Sequence, residues 1–389
     1  MFYQQLNEAN LNFVFRLSQP PTKTILIGGP ATAEAFPVIP FPDSFKPVIV
    51  FPLEWAAKTP YTMQWHLTLE REIFPRTVAT VSYFGNRGVH LATPTEINFK
   101  QRTILEDGTA FFPPGPPVRV NPHYTAINLR DFGSDSHYHG LQIRFRKQYS
   151  KGFHIQASYS YSKTIDNSPP ILRDLENSPT ILFDWFQRHL DRSLSGFDVR
   201  NNFVLNFGYD FPFKKGRRTG LSILEGWRIN SIVLLANGNP FTVQNSFDRT
   251  GTAAIGPFRH DRPNLRPGAD NNPGAGSPDA YFNVNSFELQ PVGFLGDLGR
   301  NTVIGPGLFN VDFSLHKKAK VSEIFDLEFR AEFFNLFNRT SFATPTAQNR
   351  FIFVGSDPEG NGIPSGSAGR LTGTVITSRQ IQFGLKFLF

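Results

Sequence analysis

A strict alternation of apolar and polar residues recurs along most of this chain and constrains its fold more than any other feature. At the C-terminal end the apolar set comprises Ile381, Phe383, Leu385, Phe387 and Phe389. Polar residues or glycine stand at 380, 382, 384 and 386. Because successive side chains of a β-strand point to opposite faces, such a segment has one apolar and one polar face. The alternation therefore predicts an all-β fold.

Nine such strands are predicted, and most of them are long. They cover 61–73, 76–91, 140–149, 153–164, 199–211, 223–237, 308–318, 324–338 and 379–389. A tilted strand needs about 9–11 residues to cross a bilayer, whereas strands of globular proteins average about five or six. Strand length thus favours a membrane-spanning sheet.

The connections between these strands alternate without exception between short and long. The short ones are 74–75, 150–152, 212–222 and 319–323, and the long ones are 92–139, 165–198, 238–307 and 339–378. This order is typical of outer-membrane barrels, which have short periplasmic turns and long extracellular loops. We therefore expect a partial antiparallel up-and-down transmembrane β-barrel over 61–389 with its C-terminus in the periplasm. The proline-rich stretch 1–60 is expected to be the remnant of an extracellular loop.

Composition excludes several other classes of protein. The chain has 41 phenylalanines and no cysteine, so it has neither disulfides nor thiolate sites. No apolar run approaches the about 18 residues of a membrane helix. Glycine and proline together number 32 + 31 = 63, which argues against an all-helical fold. The net charge of +7 is scattered along the chain, and we expect no nucleic-acid partner.

A soluble β-sandwich would show the same alternation, because its apolar faces pack against a second sheet. Strand length and the alternating connections favour the membrane barrel over this alternative. Aromatic residues are also frequent at the strand ends, where barrels carry aromatic girdles at the two membrane interfaces. In the barrel the apolar faces meet lipid and the polar faces line the lumen.

Few residues suggest catalysis or metal binding. The pair His137 and His139, near Asp131 and Asp135, suits a metal ion, but a polar loop entering a strand is the favoured interpretation. A dense basic cluster at 214–218 is interpreted as a solvated turn rather than a phosphate site. We expect no enzyme activity, no cofactor and no metal.

The polar positions of two predicted strands are the candidate lumen-facing residues. They are Gln142, Arg144, Arg146, Asp326, Glu328, Arg330 and Glu332. The four on the second strand also suggest a paired-carboxylate site. Alternation places all of them on one face, where mixed charges pair or are solvated, so the lumen interpretation is favoured.

Several segments of the chain resemble one family of membrane proteins. They are 60–65 (PYTMQW), 83–91 (YFGNRGVHL), 157–166 (ASYSYSKTID), 197–203 (FDVRNNF), 299–307 (GRNTVIGPG), 330–338 (RAEFFNLFN) and 379–384 (RQIQFG). In this order they resemble the C-terminal barrel part of TonB-dependent outer-membrane receptors. The resemblance is to the Oar-like group, which carries a carboxypeptidase-regulatory-like domain.

This resemblance implies a Gram-negative outer-membrane transporter or receptor that imports an unknown extracellular ligand. Energy would come from TonB acting on a plug domain that is absent from this sequence. The sequence also lacks a secretory signal and has too few strands for a closed barrel, so we expect a fragment. The alternative is a non-transporting outer-membrane adhesion or structural protein that uses the same loops.

The C-terminal strand adds a second resemblance. The apolar series from Ile381 to the terminal Phe389 resembles the assembly signal that the barrel-assembly machinery recognises in bacterial outer-membrane proteins. The expected partners are therefore outer-membrane lipid, the assembly machinery, the ligand, and TonB only through the missing plug.

Overall fold

The computed structural model describes residues 2–3, 48–167, 184–213, 225–252, 261–321, 325–355 and 362–389. The basic cluster at 214–218 and most of the proline-rich stretch 1–60 lie outside these residues.

One large antiparallel sheet forms the body of the described structure. Its ten strands along one path are β1 (Phe2–Tyr3), β2 (Tyr61–Phe74), β3 (Thr77–Glu96), β4 (Tyr124–Ser150), β5 (Phe153–Asp166), β6 (Asn201–Asp210), β7 (Trp227–Ala236), β8 (Leu308–Lys320), β9 (Asp326–Phe334) and β10 (Gln380–Leu388). Each strand pairs with the next one along the chain. Two short strands join the side of this path, Val48–Val50 against β4 and Ser193–Leu194 against β5. This topology is the up-and-down order expected from the sequence.

All nine predicted strands are present, but two of them extend at least five residues beyond the predicted bounds. β3 continues to Glu96 and β4 begins at Tyr124, so the predicted connection 92–139 shrinks to 97–123. The added residues pair with each other, for example Thr95 with Leu129. Many of the added positions are buried polar residues, such as Thr93 and Thr95. The apolar–polar alternation ends there although the backbone ladder continues.

The apolar face of the sheet is exposed rather than packed against another layer. Leu67 and Leu69 on β2 are 64% and 67% exposed, and Phe383 on β10 is 71% exposed. In a β-sandwich these side chains would form the core. The structure therefore contradicts the sandwich alternative and leaves an apolar surface of the kind that lipid covers in a membrane barrel.

The sheet is open within the described residues. β10 pairs only with β9, and β1 pairs only with β2, so each has a free edge. β1 matches the register Phe2 to Thr62 and Tyr3 to Tyr61.

The hydrophobic core lies among the long connections. Its largest cluster comprises Phe241, Val243, Phe282, Phe287, Leu298, Val303 and Ile352. A smaller cluster contains Phe99, Ala110 and Phe112. We call this compact region at the long-connection end the loop layer.

Short strand pairs and helical turns organise the loop layer. The short strands are Thr103–Ile104 with Ala110–Phe111, Pro240–Phe241 with Val303–Ile304, Gln244–Asn245 with Phe351–Val354 and Ile363–Pro364, Asn264–Leu265 with Phe287–Glu288, and Gly274–Ser277 with Ala280–Phe282. The helical elements are the 3₁₀ helices Trp185–Asp191 and Val284–Ser286 and the α-helix Ala347–Arg350. Among the described residues, no helix has the length and apolar character needed to cross a membrane.

Candidate functional site

The polar sides of β2 to β10 form one continuous face of the sheet. Strand register decides this, because directly opposed residues share a face. Arg146 opposes Gln156, and Gln156 opposes Asn206 on the next strand. Further along, Ser314 opposes Glu332, which opposes Gln382 on β10. We call this surface the polar face.

Both sets of predicted lumen residues belong to the polar face. The structure places Gln142, Arg144 and Arg146 on β4, where Gln142 Nε2 donates to Ser158 Oγ at 3.3 Å. Asp326, Glu328, Arg330 and Glu332 lie several strands away on β9. The β4 and β9 residues therefore point to the same face of the sheet but are not in contact with each other.

Two carboxylates of β9, those of Asp326 and Glu328, contact cations rather than another carboxylate. Arg330 Nε donates to Glu328 Oε1 at 2.7 Å, and Lys318 Nζ lies 3.0 Å from Asp326 Oδ2. His316 Nδ1 lies 3.8 Å from Glu328 Oε1. A carboxylate held by an arginine is a poor general acid or base because the cation favours its ionised form. This geometry supports the mixed-charge interpretation of the four β9 residues.

Sequence reasoning missed a second ionic group on the polar face. Arg228 on β7 forms a bidentate pair with the Asp210 carboxylate on β6, and one of its two bonds measures 3.0 Å. Tyr149 Oη donates to Asp210 Oδ2 at 2.6 Å. The three residues lie near the short-connection end, where the register of β6 and β7 pairs 210 with 228. Alternation alone does not reveal which strands are neighbours.

The histidine pair considered as a metal site has other contacts. His139 Nδ1 lies 2.7 Å from Tyr83 Oη, and His137 Nε2 lies 3.1 Å from Asp135 Oδ2. Both histidines belong to β4 and share the apolar face of the sheet with Leu141. Within the described residues there is no group of three or more metal-binding side chains.

Buried arginine–aspartate pairs hold the loop layer together. Arg262 pairs with Asp191 at 3.3 Å, and both side chains are almost fully buried. Arg300 pairs with Asp166 and also donates Nε to the carbonyl of Asp191 at 2.9 Å. Buried charges are tolerated only when they are paired and hydrogen-bonded. The Arg300 pair joins the end of β5 to a residue 134 positions away in the sequence, and the Arg262 pair joins residues 71 positions apart.

The 3₁₀ helix Trp185–Asp191 is the centre of this network. Arg188 on the helix pairs with Asp131 of β4, and Asp184 at its N-cap pairs with Arg102 of the 97–123 connection. The Asp184 carboxylate also accepts the backbone N–H of Phe186 at 2.9 Å, as an N-cap residue does. Three connections thereby fold as one unit.

Asp198 shows how strongly the loop layer buries its acids. Its carboxylate accepts the backbone N–H of Thr164 at 2.5 Å and lies 3.7 Å from Arg200. Burial raises the pKa of the Asp198 carboxyl, while the Thr164 hydrogen bond and the charges of Arg200 and Lys163 lower it. The net direction is upward, because desolvation outweighs the favourable contacts.

A cavity of about 300 Å³ opens in the loop layer between the 97–123 and 237–307 connections. Its walls combine the aromatic rings of Phe112 and Phe247 with the polar side chains of Lys100, Asp248 and Arg249. Lys100 Nζ donates to the carbonyl of Gly115 at 2.9 Å, which fixes the cation in the wall. A concave apolar site with a few charged groups is a typical ligand pocket. Sequence reasoning did not single out these residues.

The predicted assembly-signal residues lie on the edge strand. Ile381, Phe383, Leu385 and Phe387 are exposed on the apolar face of β10, and Phe389 follows its last residue. Phe383 and Phe329 stack at 6.2 Å between ring centroids, as do Phe387 and Phe325 at 5.5 Å.

A family model described as an outer membrane beta barrel domain matches residues 1–382. No curated protein sequence matches the chain.

Several solved structures are similar in shape. The outer membrane transporter YddB from Escherichia coli is 9% identical with a TM-score of 0.41, over 88% of this chain and 34% of its own. The FrpB iron transporter from Neisseria meningitidis is 10% identical with a TM-score of 0.40, over 87% and 33%. The pyoverdine outer membrane receptor FpvA from Pseudomonas aeruginosa is 10% identical with a TM-score of 0.40, over 86% and 30%. The chain therefore spans about a third of the length of these structures.

Proposed function

This chain belongs to the outer membrane beta barrel domain family, and from that premise we propose that it forms the barrel wall of a TonB-dependent transporter or receptor. The polar face lines a solute path, the apolar face meets lipid, and the loop layer stands outside the cell with the C-terminus in the periplasm. The ligand is a solute recognised by the loop layer.

The observation that carries the proposal is the opposite character of the two sheet faces. Exposed apolar side chains cover one face, whereas each strand from β4 to β10 contributes charged or amide side chains to the other, on which Ile232 and Leu234 of β7 also lie. A structural protein in the membrane needs the first surface, but it does not need a charged inner wall. A water-filled path needs such a wall, because charges and amides replace the hydration of a polar solute.

The loop-layer cavity is the proposed position of ligand recognition. Phe112 and Phe247 supply apolar surface, and Lys100 and Arg249 supply positive charge. The buried arginine–aspartate pairs tie together the connections around this cavity, which favours a preformed pocket. This arrangement suits a ligand that has both apolar and anionic groups.

Absence of cysteine makes the solute path directly testable. Single cysteines placed at Asn206 on the polar face and at Leu205 on the apolar face differ by one strand position. In cells, a charged thiol reagent should label the Asn206→Cys variant and spare Leu205→Cys. A lipid-soluble maleimide should label both variants.

Dependence on TonB is tested with the same variants. We expect the rate of labelling at Asn206→Cys, measured in a receptor in which a plug domain accompanies this barrel wall, to change when the proton gradient is dissipated. In a strain that lacks TonB, the same treatment should leave the rate unchanged. Labelling that ignores both treatments would indicate the adhesion or structural alternative. Equal labelling of both positions by the charged reagent would contradict the barrel orientation itself.

A further inference from the structure

A band of aromatic residues crosses the apolar face near its long-connection end. The strand register aligns two of its members, because Tyr83 and Tyr161 both oppose Leu141, one from each neighbouring strand. Trp65 of β2 lies beside this row, one step toward the long-connection end, and its ring contacts that of His139 at 6.2 Å between centroids. Trp65, Tyr83 and Tyr161 are all exposed. Aromatic rings of this kind mark the level of lipid headgroups in membrane barrels.

Cations stand directly beyond this band on the same face. Lys163 opposes His139, and Arg87 opposes His137 in the following row. Arg87 and Lys163 are exposed, and neither forms a salt bridge with any residue that the structure describes. Arg200 also reaches this edge, with its guanidinium 5.8 Å from the centre of the Tyr161 ring.

The acids nearby are already engaged. Asp135 lies on this face, but its carboxylate contacts His137 at 3.1 Å and Arg192 at 3.5 Å. Asp198 is buried against Arg200 and Thr164, although its charge extends to Lys163. The two exposed cations therefore face outward without a carboxylate in contact.

The height of these cations fits a membrane interface. Lys163 lies ten residues along β5 from Phe153 at the short-connection end. With about 3.3 Å per residue and a tilt of about 40°, this corresponds to about 25 Å along the membrane normal. The apolar band of an outer-membrane barrel has that same height, about 25 Å. The cations thus lie where acyl chains end and headgroups begin.

We infer that Arg87 and Lys163, above the aromatic band of Trp65, Tyr83 and Tyr161, bind a phosphorylated headgroup of the outer-leaflet glycolipid. The two cations are two strands apart, about 10 Å, and about 7 Å apart along the strands. Their long side chains therefore reach phosphate groups of a single headgroup, while the exposed Leu67 and Ile143 below them meet its acyl chains. The inference rests on the proposed orientation of the sheet and does not depend on transport.

The test is lipid binding by the full chain purified in detergent from outer membranes. The probe is lipid A with two phosphates, and binding of the parent is compared with that of R87Q/K163Q. Because each Lys or Arg near an anionic surface contributes about fivefold in affinity, the double variant should bind about 25-fold more weakly. The matched control R71Q/K147Q removes two cations from the same face at its other end and should bind as the parent does.

Additional binding measurements identify the source of the phosphate, and additional variants distinguish a loss of binding from misfolding. Dephosphorylated lipid A should bind weakly, and neither inorganic phosphate nor phosphatidylglycerol should displace lipid A. R87K/K163R keeps both charges and should retain binding. The single variant K163Q, at an exposed position, should lose about fivefold even if the double variant does not assemble.

Three results would overturn the inference. They are unchanged binding by K163Q, an equal loss in R71Q/K147Q, and equal competition by phosphatidylglycerol, which would assign this end of the sheet to the inner leaflet. Loss of ligand transport with intact lipid A binding would contradict only the proposed function.

Discussion

The indole ring of Trp65 on β2 lies across the backbone of Gly85 on β3. The two residues are directly opposed in the register, and a Cβ atom at position 85 would collide with the indole ring. Because glycine lacks a Cβ atom, residue 85 leaves the space that the Trp65 ring occupies on the apolar face, in the aromatic band near the long-connection end.

Replacing Gly85 should displace this ring. We expect Gly85→Ala to destabilise the assembled protein by about 1–3 kcal/mol, as overpacking does, and to change the environment of the Trp65 ring. Unfolding in detergent, followed by tryptophan fluorescence, measures both effects. The control is Gly384→Ala on β10, where an added Cβ meets only an ordinary contact with the Arg330 side chain. Equal effects at the two glycines would contradict the role of the collision.

A charge on the apolar face should prevent stable membrane assembly. Ile143→Arg faces the proposed lipid, while Gln142→Arg, one residue away, faces the proposed lumen. An arginine near the bilayer midplane of a barrel costs about 2–4 kcal/mol, so only Ile143→Arg should lower the amount of folded protein. Heat modifiability of outer-membrane fractions on gels measures that amount. Greater damage from Gln142→Arg would invert the assignment of the faces.

Loss of the buried Arg300 should loosen the loop layer. Arg300→Met leaves the Asp166 carboxylate buried without its cation, which costs about 3–5 kcal/mol. Limited proteolysis of intact cells should then cut within the long connections, which resist in the parent. Arg266→Met serves as the control, because its 4.0 Å contact with Glu288 is exposed and contributes little. Resistance of Arg300→Met to the protease would show that the pair is dispensable.

Arg350 should destabilise the loop layer at neutral pH. Burial lowers the pKa of this guanidinium to about 10, and its Nε and Nη1 atoms have no hydrogen-bond partner in the described part of the chain. The charged form is thus disfavoured in the folded state. Above about pH 10, where the folded protein loses this proton, the unfolded chain still binds it, so stability rises with pH until the unfolded guanidinium also titrates.

The variant Arg350→Met removes this buried charge. It should raise the unfolding temperature at pH 7, by an amount equivalent to at most about 3 kcal/mol. Differential scanning calorimetry in detergent measures the change. A clear fall in the unfolding temperature would show that the guanidinium has a favourable partner, such as a bound anion.

The terminal phenylalanine should matter for assembly rather than for stability. Phe389 lies beyond the last residue of β10 and is fully exposed, so Phe389→Ala removes little packing. If the C-terminal series is an assembly signal, this variant should reach the outer membrane more slowly in a pulse-chase experiment. The control is Phe337→Ala, at another exposed phenylalanine, in the long connection after β9. An unchanged rate for Phe389→Ala would reject the signal.

The sequence by itself determined the strands, their order and their two faces. Side-chain alternation is a local property with a period of two, so Ile381 to Phe389 or Phe325 to Phe333 can be assigned without knowing their neighbours. Connection lengths then separated the two ends of the sheet. The same local pattern failed where β3 and β4 continue with buried polar residues such as Thr93 and Thr95, because their faces no longer differ in polarity.

Only the tertiary structure decided which side chains meet. The pairs Arg300–Asp166 and Arg262–Asp191 join positions 134 and 71 residues apart, and no local periodicity encodes such contacts. The register likewise placed Lys163 beside His139 and Trp65 over Gly85. A strand pattern specifies a face, whereas a site requires residues from different strands at matching heights, and pairing of the backbone sets those heights.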